Sequence, residues 1–136
     1  MRILHTADWH LGRTLEGRER RQEQTAFVDE LCALADERAV DLVLLAGDVY
    51  DSVNPPAWAE ELFYEALERL SSGGRRGVIV IAGNHDQPER IRAAAPLAHK
   101  QGIVLLGLPK EAPLIRDDGQ RWADRARVVA GGPSWL

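Results

Sequence analysis

The chain has 136 residues, 45% hydrophobic and 28% charged, with a formal net charge of -4, the length and composition of one ordinary globular domain with a sizeable core. No apolar run approaches the roughly 18 residues a membrane span needs, no charged start followed by an apolar stretch suggests a signal peptide, and the single Cys32 excludes an internal disulfide. A cytoplasmic protein with no membrane association is expected.

Residues 2–6 read as a first strand that runs into Ala7-Asp8-Trp9-His10. Residues 11–22 follow as a Gly- and Arg-rich loop carrying Arg13, Arg18, Arg20 and Arg21. From about Glu19 a helical pattern takes over, with Phe27, Val28, Leu31, Leu34 and Ala35 recurring every three or four residues as one apolar stripe. Cys32 is expected there as a small buried residue, and the helix ends near Arg38. Residues 42–45 are an apolar run of the kind buried on both faces of a sheet, ending in Gly47 and then Asp48. Strand, helix and strand with a short link form a βαβ unit, so the strands are expected to be parallel.

Asn54-Pro55-Pro56 opens a second helix, with proline where the first turn has no donor to lose. It runs through Trp58, Leu62, Phe63, Ala66, Leu67 and Leu70 and stops at Gly73-Gly74. Residues 78–81 form a third strand that ends in Ala82-Gly83-Asn84-His85-Asp86. A helix begins at about Pro88 and is broken or kinked by Pro96, and residues 103–106 form a fourth strand after Gly102. Asp117-Asp118-Gly119, between Leu114-Ile115 and the run 127–130, is a hairpin signal. The chain stops just after that run, at Gly132-Pro133-Ser134-Trp135-Leu136, which suggests a piece of a longer protein.

Three strand ends thus deliver Asp8, His10, Asp48, Asn84 and His85 toward one spot, the crevice where α/β sheets bind ligands. Asp-x-His at a strand end offers an oxygen and a nitrogen on the same side. Mixed sets of this kind suit Mn²⁺, Fe or Zn²⁺ better than Ca²⁺ or Mg²⁺. A carboxylate such as Asp48 can bridge two ions ~3.5–4 Å apart, as in two-metal phosphoesterases. Asn84 adds a neutral carbonyl oxygen, and His85 is placed to donate a proton to a leaving oxygen or to bond the phosphoryl group. Asp86 either orients His85 or caps the helix that follows. His5, inside the first strand, is expected to be a buried structural residue, and His99, near a helix end, a surface group or a partner of the helix's C-terminal dipole. The mildly acidic total argues only weakly against a nucleic-acid partner, because bound cations reverse the local sign. A metal-dependent phosphodiesterase site is the reading these residues support.

Residues 3–13 (Ile-Leu-His-Thr-Ala-Asp-Trp-His-Leu-Gly-Arg), 46–51 (Ala-Gly-Asp-Val-Tyr-Asp) and 82–86 (Ala-Gly-Asn-His-Asp) resemble the opening motifs of the calcineurin-like metallophosphoesterases. The Asp-Trp-His-Leu-Gly-Arg form, Pro55-Pro56 and the closing Pro-Ser-Trp-Leu are similar to the SbcD nuclease branch in particular. The resemblance implies an α/β fold with a sheet of mainly parallel strands flanked by helices, the N-terminal part of a two-sheet sandwich. Residues 1–136 would be the N-terminal part of the nuclease domain, with later metal ligands and a capping domain absent. It implies a Mn²⁺-dependent double-strand DNA exonuclease and single-strand endonuclease that works with an SbcC-type ATPase in break repair. Asp8, His10 and Asp48 would then bind one Mn²⁺, Asp48 and Asn84 a second, and His85 would assist phosphoryl transfer.

The family completes both metal shells with three further histidines, two of them in a Gly-His-x-His motif. After His85 this chain has only His99 and no such motif. Weak metal binding and impaired cleavage are therefore expected of this chain by itself. Arg13 and Arg18 are candidate contacts to DNA phosphates. The resemblance also implies a homodimer through helices near residues 56–70 and 88–100, where Trp58, Phe63 and Tyr64 exceed the needs of one core stripe. The alternatives are a related phosphoesterase acting on nucleotides or phosphoproteins, and a non-catalytic scaffold for dimerisation or DNA docking.

Overall fold

The computed structural model describes residues 1–108 and 110. The elements run in the order β1 (Ile3–Thr6), β2 (Thr14–Leu15), β3 (Arg18–Glu19), α1 (Arg21–Glu37), β4 (Leu42–Ala46), α2 (Ala57–Ser71), β5 (Gly77–Ile81), α3 (Pro88–Arg92) and α4 (Ala95–Ala98). A 3₁₀ turn at His99–Gln101 and β6 (Ile103–Leu106) complete them. β1, β4, β5 and β6 form one sheet in that order, parallel at every pairing, as the βαβ spacing predicts.

The strand order follows the chain, so crossovers of one hand bring the helices to one face of the sheet. That face carries Val43, Leu45, Val78, Val80, Ile103 and Leu105, all buried with Val28, Leu31, Phe63 and Leu67 in a single core. The opposite face is different. Among the described residues Ile3, His5 and Ile81 are exposed and Leu42 and Leu44 only half-buried. Among the described residues, 42–45 are thus more fully covered on one side than on the other, and His5 is exposed rather than buried. His99 departs in the other direction and is buried.

The buried stripe of α1 is Gln24, Val28, Leu31, Cys32 and Ala35. Phe27 and Leu34 lie at its exposed edge, because Gln24 takes a core position that hydropathy does not mark. α2 buries Leu62, Phe63, Ala66, Leu67 and Leu70 as expected, but Pro56 caps the helix instead of lying in its first turn. Ser72, in the left-handed conformation at φ 50°, ends α2 one residue before the glycines. The helix from Pro88 is broken rather than kinked, ending at Arg92, and Pro96 lies in the first turn of α4.

Within residues 11–22 the structure has a hairpin, β2 against β3, turned by Glu16 and Gly17 with φ of 51° and 77°. Two positive φ values in a two-residue turn match the twist of a tight hairpin. The buried guanidinium of Arg76 donates to the carbonyls of Val40 and Leu70 and to the Asp36 carboxylate, tying the ends of α1 and α2 to β5. No described helix is long and apolar enough to cross a membrane. The expected hairpin at 117–119, its flanking runs and the closing 132–136 lie outside the described residues.

Candidate metal centre

The loops leaving β1 and β4 stay paired after the sheet ends. Asp8 N–H donates to the Gly47 carbonyl, His10 N–H to Asp48 and Leu11 N–H to Val49, at 3.1, 3.0 and 2.9 Å, and Asp51 N–H returns to Leu11 at 3.1 Å. Parallel strands whose ladder continues into their loops keep those loops in register, so Asp8 and His10 stand beside Asp48 by backbone bonding alone. Asp8, His10 and Asp48 also adopt left-handed backbone angles, φ 57°, 46° and 50°. Aspartate and histidine tolerate this region better than most residues, yet each instance costs of order 1–3 kcal/mol and needs surrounding structure to hold it.

The third loop is pinned to the second. The buried Asp86 carboxylate accepts backbone N–H groups from Gly83, Val49 and Tyr50 at 2.8, 3.1 and 2.9 Å. It therefore neither orients the His85 ring nor caps α3, whose start carries no side-chain cap. Its oxygens are used on the amides of two loops. The loops meet where there is no room for a side chain, since a Cβ on Gly83 would lie 2.1 Å from Asp48 Oδ1. His85 N–H donates to that same oxygen at 3.0 Å, fixing the Asp48 carboxylate.

His10 Nε2 lies 4.0 Å from Asp8 Oδ1 and 3.9 Å from Asp48 Oδ2. Both are too long for hydrogen bonds but near the ~3–4 Å that separates ligand atoms sharing one ion with bonds of about 2.1 Å. On its other side His10 Nδ1 is buried, makes no hydrogen bond among the described residues, and sits 3.4 Å from Asp51 Oδ1. A carboxylate behind the far nitrogen is the usual partner of a metal-ligating histidine, holding the tautomer that presents Nε2. Oxygen, nitrogen and oxygen converging in this way fit a divalent cation of the Mn²⁺ or Zn²⁺ kind. The Asp48 side chain is only 14% exposed and that of Asp8 70%, so Asp48 forms the floor and Asp8 the open wall.

A second group, His10, Asp51 and His85, also has potential ligand atoms within 4.8 Å of one another. The His85 and His10 rings meet edge-on at 5.0 Å, and His85 Nδ1 lies 3.1 Å from the Asp51 carbonyl oxygen. Asn84 is exposed, between Gly83 and His85 on the pinned loop. Arg13 and Arg18 are exposed on the hairpin that leaves the site after Gly12. Sequence reasoning missed Asp51 and Gln24. Asp51 carries a visible signal, a second carboxylate three residues after Asp48, whereas Gln24 in a helix stripe carries none.

A family model described as calcineurin-like phosphoesterase matches residues 1–130. Over 114 residues the chain is 56% identical to a Bacillus subtilis (strain 168) protein named as a subunit of the nuclease SbcCD, covering 84% of this chain and 29% of that protein. Proteins of the same name from Rhodobacter capsulatus and Escherichia coli (strain K12) are 40% and 36% identical, over 83% and 88% of this chain and 28% and 30% of theirs. The chain spans less than a third of the length of these relatives.

Proposed function

The chain belongs to the calcineurin-like phosphoesterase family, and from that premise we propose that it forms the first part of the catalytic domain of a DNA repair nuclease. The proposed reaction is metal-dependent hydrolysis of phosphodiester bonds, as double-strand exonuclease and single-strand endonuclease, in partnership with an SbcC-type ATPase. The observation that carries the reading is the convergence of Asp8, His10 and Asp48 ligand atoms within 4.8 Å. Two Mn²⁺ ions are the proposed cofactors, with Asp8, His10 and Asp48 holding one, Asp48 and Asn84 contributing to the second, and further ligands coming from other segments. When bound, such ions stabilise charge on phosphoryl oxygens and acidify water.

The chain's own residues supply the rest of the mechanism. The Asp51 carboxylate, 3.4 Å from His10 Nδ1, favours the tautomer that presents Nε2, and the Asp51 carbonyl accepts the Nδ1 proton of His85. In that tautomer the His85 Nε2 carries the lone pair, and on protonation it donates to the departing oxygen. Arg13 and Arg18, on the hairpin beside the site, are proposed to contact DNA phosphates.

A homodimer is proposed through α2 and the α3–α4 segment. Phe63 is fully buried and does not contribute, but Tyr64 and Leu97 are exposed, flanking a groove of about 580 Å³ that Leu67, Ala94 and Ile103 also line. A second copy of the chain is the proposed occupant, and a monomeric mass at high concentration would refute it.

The test of function compares Mn²⁺-dependent hydrolysis of linear duplex DNA, a mononucleotide ester and a phosphopeptide by a protein of the relatives' full length that carries this chain, since impaired cleavage is expected of the chain by itself. Preferential DNA cleavage is expected. Preference for the nucleotide or phosphopeptide would favour the related phosphoesterase, and no cleavage of any substrate would favour a scaffold.

A further inference from the structure

We infer that Gln24 is a positioning residue for His10. The residue is 8% exposed, and its side chain reaches out of α1 into the loop after β1. Its Nε2 donates to the His10 carbonyl at 2.7 Å and its Oε1 accepts the Gly12 N–H at 3.0 Å. The backbone there turns left-handed twice, at His10 (φ 46°) and at Gly12 (φ 93°), on either side of the fully buried Leu11. Leu11 stays in the ladder, bonded to Val49, while the polar groups on either side of it swing out of the ladder. One amide brackets both.

The His10 carbonyl also accepts Arg13 N–H at 3.1 Å, so Gly12 N–H is the group orphaned when Gln24 is lost. The far end of the excursion is the start of α1, whose first backbone bond runs from the Gln24 N–H to the Arg20 carbonyl at 3.0 Å. The hairpin at 14–19 is thereby closed at its base, and α1 sets the height at which His10 faces Asp8 and Asp48. Glutamine is suited to this task because a donor and an acceptor are both required at one reach. Glutamate keeps the acceptor but turns a carboxylate oxygen toward the His10 carbonyl, and methionine fills the space with neither. Partners that orient ligands in this way typically govern metal affinity by 10–100-fold.

The inference rests on the metal-site reading. Its test is an electron paramagnetic resonance titration that follows free Mn²⁺ against the full chain, for wild type, Gln24→Met, Gln24→Glu and Val28→Ala. Val28 is buried one turn along the same helix and has no polar side-chain atom, so its truncation weakens the fold without removing a hydrogen bond to the loop. Gln24→Met is expected to weaken Mn²⁺ binding by about 10-fold or more and Gln24→Glu to weaken it as well, while Val28→Ala lowers the thermal midpoint and binds like wild type. Wild-type affinity in both Gln24 variants, or equal losses in Val28→Ala, would overturn the positioning role and leave the metal site standing. Should Gln24→Met fail to fold, Gln24→Glu against Val28→Ala decides alone. A wild-type chain that binds no Mn²⁺ overturns the metal site itself, and this inference with it.

Discussion

Asp86 Oδ1 accepts the backbone N–H of Tyr50 at 2.9 Å, joining residues 36 apart in sequence. With the bonds to Val49 and Gly83, this carboxylate holds the loops after β4 and β5 against each other. Asp86→Ala leaves buried amides unpaired and is expected to cost about 3 kcal/mol or more in urea unfolding. Asp86→Asn, which turns an N–H₂ toward a donor, is expected to cost about 1–3 kcal/mol. Both should weaken Mn²⁺ binding. An unchanged unfolding midpoint in Asp86→Ala would show that the bonds contribute nothing net.

Two glycines separate close packing from backbone strain. A Cβ on Gly83 would meet Asp48 Oδ1 at 2.1 Å and Asp48 N at 2.3 Å, whereas one on Gly17 (φ 77°) meets nothing within 4 Å. Gly83→Ala should therefore push the third loop off Asp48 and abolish metal binding. Gly17→Ala should cost only about 1–2 kcal/mol of left-handed strain and leave the metal affinity unchanged. Isothermal titration with Mn²⁺ on both variants checks the contrast, and similar affinities would contradict it.

Asp51 serves both histidines, through its carboxylate toward His10 and its carbonyl toward His85. Asp51→Ala removes only the first of these. Metal affinity is expected to fall about 10–100-fold, while the His85 contact survives because it uses the backbone. Nitrogen-15 chemical shifts of the two rings provide the check, with the His10 tautomer shifting and that of His85 holding.

Much of this arrangement was legible in the residues themselves. Apolar runs ending in Asp8 and Asp48 announced parallel strands delivering acids to one edge, because burial and chemistry leave side-chain patterns. What stayed hidden depends on backbone partners. Asp86 read as a cap or an orienter because two of the amides that donate to it come from a loop 36 and 37 residues away. Gln24 read as nothing, since a polar residue inside a helix stripe gives no hint that it bonds a carbonyl and an amide of the preceding loop. The uneven cover of the two sheet faces among the described residues was hidden too, since an apolar strand has the same composition whether one face or both are covered.

If Arg13 and Arg18 contact phosphates, each contact contributes about 0.9 to the slope of log affinity against log salt. Arg13→Glu and Arg18→Glu are each expected to weaken duplex binding without sequence preference and to lower that slope by about 1. Fluorescence anisotropy across a salt series measures it, and unchanged slopes would remove both residues from the interface.

The pH dependence follows from two buried acids. Burial pushes the Cys32 thiol up from 9.0, with the Arg69 charge opposing, and pushes the Tyr50 phenol well up from 10.0. In the unfolded chain these groups ionise near their ordinary values while the folded chain keeps their protons. Their contribution is thus fully present below about pH 9 and is lost as pH rises toward the folded values. Urea midpoints should fall from pH 9 to 11, and Cys32 should alkylate far more slowly in the native than in the unfolded chain. A flat profile over that range would contradict the burial.

The most direct measurement is the anomalous difference map of a crystal soaked in Mn²⁺. A peak within about 2.5 Å of Asp8, His10 Nε2 and Asp48 Oδ2 is the predicted result, allowing for Mn–ligand bonds near 2.1 Å. Ordered side chains at those positions with no peak between them, or a Mn²⁺ ion bound only elsewhere, would contradict the account.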